Sequence, residues 1–330
     1  MYNVCLIPGD GIGLEVIPAA RQVLEALGIA FQFTSAEAGF ACYQKLGDPL
    51  PGVTVEACRS ADAVLFGSVT TPPNMVGYKS AIVSLRRELD LYANVRPTIS
   101  LPIPGARPQL DLVIVRENTE DLYGGDEDYG DERAVTRRII TRAASQRIVE
   151  FAYQLAQTQQ KRKVTIVHKA NVMRATCGLF LKVALEVASR YPDIQTETML
   201  VDAMAMHLVK DPQKFEVIVT TNMFGDILSD EASALSGGLG LAASANIGVS
   251  HALFEPVHGS APDIAGQGIA NPLAAILAAG MMLDHLQEHQ AAERVKQAVV
   301  QTLRDQVFTP DLGGSATTDQ VTRAVIKNLG

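Results

Sequence analysis

Apolar positions in this chain come as short runs that alternate with longer stretches of helical spacing. Tyr2–Ile7 (YNVCLI) is a compact apolar run and predicts a buried strand. Apolar residues at helical spacing fill Gly11–Leu27 and stop at Gly28, a residue suited to ending a helix. Further β-type runs occupy Ala63–Phe66, Asp111–Arg116, Val164–His168 and Glu216–Thr220, each followed by a turn containing Gly, Asn or Asp. Helical spacing covers Ser80–Leu89, Thr141–Gln157, Val172–Ser189, Asp226–Leu235, Pro272–Leu286 and Ala291–Gln306. Asn271-Pro272 reads as an N-cap followed by proline in the first turn. The alternation predicts an α/β protein with a largely parallel sheet and ligands at the C-terminal strand ends. The Pro-rich stretch Pro97–Pro108 and the Gly/Ala/Ser-rich stretch Gly237–Gly248 are the candidate linkers.

Composition narrows this picture. At 330 residues the chain can bury a large core, and its length suggests about two domains. With 47 % hydrophobic and 19 % charged residues it does not match a disordered protein. A net charge of −8 gives no global field to attract nucleic acid or an anionic membrane. The longest apolar stretch, Ile269–Leu283, is interrupted by Asn271 and falls short of the ~20 residues of a membrane span, so it predicts a buried helix. No basic segment precedes the first strand, and no signal peptide is expected. Cys5, Cys42, Cys58 and Cys177 lie far apart with no Cys-x-x-Cys, which fits reduced thiols and a cytoplasmic location.

One feature of the charge is uneven. Ten arginines fall between Arg86 and Arg147, where there is no lysine. Arginine is the fork-shaped carboxylate binder, whereas lysine is a flexible point charge. Eleven acids share the stretch, so solvated surface pairs are the plain alternative.

Six motifs carry candidate chemistry. Gly9-Asp10-Gly11-Ile12-Gly13 follows the first strand, but its spacing is not the G-x-G-x-x-G of a dinucleotide fingerprint, and it reads as a tight strand-to-helix turn. Asp226 and Asp230 share one helix face at i, i+4 spacing, and Asp202 follows the apolar run Met199-Leu200-Val201. The three acids fit a hard divalent cation such as Mg²⁺ or Mn²⁺ better than zinc, with a solvated helix face as the alternative. In His168-Lys169-Ala170-Asn171 a lysine stands at a strand end, a place for a general acid or base or for a lysine that reaches solvent. Arg116–Tyr123 ends a strand in a polar run with a tyrosine able to donate a proton or simply to pack. Arg86 shares a helix face with Ser80 and Val83, and Arg96 lies ten residues on. His258–Asp263 is a turn ahead of the helix start at Asn271, suited to phosphate, with an acid able to hold ribose hydroxyls.

Taken in this order, GDGIG, LDLYANVRP, RENTEDLY, HKAN, GDILSD and FEPVHGSAPDIAGQGIANP resemble the metal-dependent β-decarboxylating dehydrogenases over essentially the whole chain. Within that family the chain looks most like small bacterial and archaeal homoisocitrate/isocitrate enzymes. The resemblance implies a two-domain, non-Rossmann fold with a largely parallel sheet. Residues 1–97 and 250–330 would form the larger, cofactor-binding domain, and 98–249 the smaller one with the dimer interface and metal site. It implies Arg86, Arg96 and Arg116 as the clamp on malate carboxylates, with Ser80, Val83 and Asn171 also on the substrate. Asp202, Asp226 and Asp230 would hold Mg²⁺ or Mn²⁺, with Asp202 supplied by a second subunit. Lys169, from that subunit too, would handle the hydroxyl proton, and Tyr123 would protonate the enol carbon.

For the cofactor, the resemblance puts Thr70, Thr71, Glu255, His258, Gly259 and Ser260 around it, together with Ala261, Asp263, Ile264 and Asn271. Asp263-Ile264 looks like the version that uses NAD rather than NADP. Lys79-Ser80 with Val83 looks like a donor pair for a distal carboxylate, which ranks isocitrate first and homoisocitrate second. Isopropylmalate and tartrate follow. Sites shared between subunits imply a homo-oligomer. The contrasting expectation, a non-catalytic regulatory subunit, conflicts with the presence of all these residues. Only three of the ten clustered arginines are needed for this site, and the other seven read as surface residues.

Overall fold

The opening apolar run forms strand β1 (Tyr2–Gly9) in a computed structural model that describes residues 1–72, Met75 and residues 77–330. Helix α1 (Gly13–Ala26) follows, then β2 (Phe31–Ser35), α2 (Phe40–Leu46), α3 (Gly52–Ser60), β3 (Ala63–Ser68) and α4 (Ala81–Glu88). The middle of the chain continues with β4 (Ala93–Ile99), β5 (Asp111–Glu117), the short pair β6 (Glu127–Asp128) and β7 (Val135–Thr136), and α5 (Arg142–Thr158). Next come β8 (Lys163–His168), α6 (Thr176–Ala188), β9 (Gln195–Leu200), α7 (Val201–Lys210), β10 (Val217–Thr220) and α8 (Asn222–Ser236). The last segment holds β11 (Ala243–Ile247), β12 (Ala252–Pro256), α9 (Leu273–His285), α10 (His289–Arg304) and α11 (Thr318–Lys327).

These elements form two compact units. Unit 1 comprises Met1–Asp90, Leu101–Ala106 and Ser236–Gly330. Its strands lie in the order β2-β1-β3-β12-β11, parallel except for β11 against β12. The apolar stretch after Ile269 becomes α9, which buries Leu273, Ile276, Met282 and Leu283. No helix among the described residues is long and apolar enough to cross a membrane.

Unit 2 comprises Leu91–Ser100 and Arg107–Leu235. Its strand order is β4-β5-β10-β8-β9, with only β4 antiparallel to its neighbour. Strands β5, β8 and β10 are apolar almost without interruption because parallel strands covered on both faces meet no water. Leu112, Ile114, Val167, Ile218 and Phe215 pack there with Met204 and Leu208 of α7 and Leu228 and Ala232 of α8.

Several elements depart from their sequence pattern. The units part at Asp90/Leu91 and Leu235/Ser236 rather than near 97 and 249. Strand β4 pairs along its whole length with β5, which ties it to unit 2, and β11 pairs with β12, which ties it to unit 1. Pro97 is therefore a strand residue, and the Pro-rich stretch joins β4 to its antiparallel neighbour. The second candidate linker holds a single 3₁₀ turn and β11. Helix α6 starts at Thr176, not Val172, because Val172 and Met173 donate to Lys169 O in turns of their own. Helix α8 starts at Asn222, so Asp226 and Asp230 lie in its interior rather than at its first turn.

Candidate active site

Unit 2 gathers charge where β4, β5 and α8 meet. Arg116, near the end of β5, is 1 % exposed. Its Nε donates to Asn222 Oδ1 at 2.8 Å and its Nη1 to Asp226 Oδ1. Gly225 makes this approach feasible, since a Cβ there would lie 2.6 Å from Arg116 Cβ. Arg96, on β4, donates from Nε to Asn94 Oδ1 and from Nη1 to Ser229 Oγ, both at 2.7 Å. The same Nη1 reaches Asp230 Oδ1 at 3.1 Å, and Nη2 lies 3.4 Å from Asp226 Oδ1. Tyr123 donates its hydroxyl to Asp226 Oδ2, and its ring lies 5.0 Å from Arg116 Cζ. Arg96, Arg116, Tyr123, Asp226 and Asp230 thus form one cluster. Burial raises the Asp230 carboxyl above its ordinary range; Arg96 opposes this and Asp226 adds to it. Ile227, apolar beside the acids, is exposed, while Leu228 and Ala232 are buried.

Lys169 and Asp202 lie elsewhere in unit 2. Lys169 leaves the end of β8 and its Nζ donates to Asp202 Oδ1 in the first turn of α7. That bond holds the Asp202 carboxyl below its ordinary range. The ammonium thus has a carboxylate partner rather than an apolar strand-end environment. Asn171 is exposed in the turn that follows. Among the described residues no three His, Cys, Asp or Glu side chains converge, so within one chain Asp202 does not join Asp226 and Asp230.

Unit 1 is built differently. Gly11 has φ +57°, and a Cβ on it would lie 2.0 Å from Ser260 O, the acceptor of Ile12 N–H at 2.9 Å. The GDGIG turn is therefore seated on the His258–Asp263 turn. Buried Asp10 accepts from Phe40 N at 2.7 Å, Ala41 N at 2.9 Å and Thr70 N at 2.8 Å. Thr70 Oγ1 in turn lies 2.7 Å from Ser260 Oγ, whereas Thr71 is exposed. Arg86 Nη2 donates to Glu255 Oε1 at 2.7 Å, which also accepts from Asn246 at 2.8 Å. Arg86 Nε is buried without a partner among the described residues. Ser80 is the N-cap of α4 but its hydroxyl makes no cap bond, and Val83 is half-buried on the first turn.

His258 donates from Nδ1 to Gly259 O at 3.0 Å, which leaves Nε2 a buried acceptor with no partner among the described residues. Burial lowers this imidazole below its ordinary range. Ala261 takes φ +38°, Ile264 is half-buried and Gly259 exposed. Asp263 is exposed, and its carboxylate makes no hydrogen bond among the described residues. Asn271 is engaged at both ends, donating to Asp311 Oδ2 and accepting from Leu273 N, each at 3.0 Å. Pro272, not Asn271, is the N-cap of α9, and Asn271 precedes it with its side chain on the first helical amide.

The family model described as isocitrate/isopropylmalate dehydrogenase matches residues 3–325. The chain belongs to this family. It is similar to an isocitrate/homoisocitrate dehydrogenase of Thermus thermophilus, 54 % identical over 99 % of this chain and 98 % of that protein. It is also similar to a 3-isopropylmalate dehydrogenase of Methanothermobacter thermautotrophicus, 53 % identical over 99 % of this chain and 98 % of the relative. Among solved structures, isocitrate dehydrogenase from Methylococcus capsulatus superposes with a TM-score of 0.97 at 46 % identity, covering 100 % and 99 % of the two chains. As a family member the chain is a decarboxylating dehydrogenase, acting with NAD(P) and a divalent metal on a small carboxylate.

The residues present fit both groups. Asp226 and Asp230 offer only oxygen, the donor a hard cation takes. Two guanidiniums and two carboxylates cancel in charge, so an incoming polyanionic substrate is balanced by a divalent cation. The orphaned His258 Nε2 could accept from an amine or hydroxyl donor, and the exposed Asp263 carboxylate could accept from a pair of hydroxyls.

Sequence reasoning missed some of the supporting residues. Asn94, Asn222 and Ser229 hold the arginines, and no spacing rule singles them out. The seven arginines read as surface residues do not all stay there. Arg137 and Arg142 are about half exposed, but Arg138 is half-buried on Asp121, and Arg147 lies 4.7 Å from the Tyr92 ring. The lysine-free run of arginines was the signal for these two.

Proposed function

We propose that the chain catalyses oxidative decarboxylation of a 3-substituted (R)-malate with NAD and Mg²⁺ or Mn²⁺. Isocitrate, giving 2-oxoglutarate, is the first choice and homoisocitrate, giving 2-oxoadipate, the second. The observation that carries the reading is the cluster of two buried guanidiniums, two carboxylates one helical turn apart and a phenol.

In this reading Arg96 and Arg116 turn donors from Asp226 and Asp230 towards substrate carboxylates, and Arg86 offers its unpartnered Nε. Asp226 and Asp230 hold the cation, with Asp202 of a second copy as the third acid. When bound, the cation supplies positive charge beside the α-hydroxyl and α-carboxylate, and the nicotinamide supplies the hydride acceptor. Lys169 takes the hydroxyl proton as the neutral amine, and Asp202 pairs with the ammonium that results. Tyr123 delivers its phenolic proton to the enol carbon left after CO₂ departs. Thr70, Ser260 and His258 line the cofactor side, and Asp263 accepts from the ribose hydroxyls, where it repels a 2′-phosphate. Asn271 and Glu255 serve that side through the groups they already hold in place.

The same reading makes the active form a homo-oligomer. It is supported by exposed apolar side chains at Val172, Met206, Val209 and Ile227, on the segments that carry Lys169, Asp202 and Asp226. Ile227→Asp is expected to yield an inactive monomer by size-exclusion chromatography.

Isocitrate is favoured because the Ser80 hydroxyl, which makes no cap bond to α4, stands next to Lys79 in the chain, while Val83 adds no charge. The test is kcat/KM for isocitrate, homoisocitrate, 3-isopropylmalate and tartrate, each with NAD and NADP. Isocitrate with NAD ranking first is the expected result. Val83→Arg is expected to move preference towards homoisocitrate. Turnover of none of the four would overturn the reading.

A further inference from the structure

Arg138 belongs to the arginine run yet its side chain is only 10 % exposed, and the proposed reaction gives it no role. Its fork closes on Asp121, Nε to Oδ1 at 2.5 Å and Nη2 to Oδ2 at 3.0 Å. Asp121 is wholly buried, with φ +76°, in the left-handed region that a residue with a Cβ seldom adopts. Its Oδ1 accepts from Leu122 N at 2.9 Å and so caps the 3₁₀ turn that carries Tyr123. Its Oδ2 accepts from Met223 N at 3.2 Å, at the start of the helix that carries Asp226 and Asp230. One carboxylate thus ties the phenol's turn to the acids' helix. Asp121 N–H adds a bond to Ile139 O at 3.0 Å, next to Arg138 itself.

The guanidinium extends the tie. Nη2 also donates to Thr221 Oγ1 at 2.7 Å, and Cζ lies 4.9 Å from the Phe224 ring, both at the entry to α8. Nη1 reaches Met173 Sδ at 3.2 Å, in the turn that follows Lys169, and Cys177 Sγ at 3.0 Å, in the first turn of α6. A surface ion pair needs none of this geometry, and a lysine could supply only one of its branches.

We propose that the Asp121–Arg138 pair is a positioning device that fixes the Tyr123 hydroxyl against α8 in the proton-delivering geometry. The inference rests on the role proposed above for Tyr123. Neither residue contributes an atom to the reaction, and both act through the 3₁₀ turn after β5 that carries Tyr123 and through the start of α8. A misplacement of about 1 Å at a reacting group can cost on the order of a hundredfold in rate, which sets the scale available to such a device.

The experiment is a double-mutant cycle in kcat on the full-length enzyme with isocitrate, NAD and Mg²⁺. Arg138→Lys keeps the buried charge balanced but loses the fork, and is expected to lower kcat roughly tenfold or more with substrate KM nearly unchanged. In a Tyr123→Phe background the same substitution is expected to change kcat less than about twofold, because the group being positioned is already gone. Effects that multiply, or a loss that falls on KM alone, would overturn the proposal. Asp121→Asn takes the place of Arg138→Lys in the same cycle if the latter does not fold. The wild-type and Tyr123→Phe rates test the parent reading separately: an inactive wild type, or Tyr123→Phe at full rate, overturns that reading, whereas the cycle judges only the pair.

Discussion

The two units build their candidate sites from different materials. Unit 2 uses side-chain charge, with Arg96, Arg116 and Arg138 each locked on a carboxylate and each further bonded to a neutral acceptor. Unit 1 uses a backbone turn, in which one buried acid, Asp10, gathers three amide groups and seats the GDGIG turn against Ser260. In the charged cluster both guanidiniums are held by carboxylates and must exchange partners to bind substrate. Unit 1 already holds groups with no partner among the described residues, Arg86 Nε and His258 Nε2. Substitutions should therefore act on rate in unit 2 and on binding and stability in unit 1.

The largest effect is expected in unit 2. Lys169→Ala should lower kcat by about 10²–10⁴, the usual weight of a general acid or base, followed as NADH formation. The pair it leaves is exposed at Asp202, so thermal stability should hardly change. A near-normal kcat would remove Lys169 from the chemistry and weaken the contrast between the units. Asp10→Ala tests unit 1. It leaves three amide donors without their carboxylate, at a cost of about 3 kcal/mol in stability. A clear fall in Tm, with a raised KM for NAD and little change in kcat, is the expected outcome. An unchanged Tm would show that the turn is held by its glycine contacts alone.

A smaller effect separates the two cofactors. Asp263 is exposed, so its repulsion of a 2′-phosphate acts through water and amounts to about 1–2 kcal/mol. Asp263→Ser should raise the NADP/NAD ratio of kcat/KM by roughly five- to thirtyfold. A ratio that stays put would move cofactor choice away from this residue.

Much of the fold could be read from the chain because period and burial agree in it. Helices α5, α9 and α10 and strands β3, β5 and β8 lie close to their patterns, each apolar on the faces it buries. Strand β4 was hidden by Pro97, and by Asn94 and Arg96, polar residues that are buried only because they bond each other and α8. Strand β11 was hidden by small residues, since Ser244 and Asn246 reach 0 % exposure with Asn246 donating to Glu255. The i, i+4 acids predicted a shared helix face, and both meet Arg96 there. Spacing along one segment carries no information about a partner from another, so Asp10 read as part of a turn and Arg138 as surface.

The smallest expected effect concerns His168, the last residue of β8 before Lys169. It is 8 % exposed, and its Nδ1 accepts from Ala170 N at 3.1 Å, a bond only the neutral ring can make. Burial lowers its pKa below the ordinary value for histidine. The unfolded chain, with its histidine near 6.5, therefore takes up a proton before the folded chain does. Stability from this residue is fully present above about pH 6.5 and is lost as pH falls from there towards the lower folded-state value. Asn at this position keeps an oxygen acceptor for Ala170 N–H but does not titrate. His168→Asn should therefore flatten the fall in Tm between about pH 6.5 and 5 while leaving Tm near pH 8 little changed. Parallel Tm curves for the two proteins would assign the acid sensitivity to other groups. Tm of the variant falling faster than wild type would mean that the ring stabilises the strand end in its charged form, contrary to its burial.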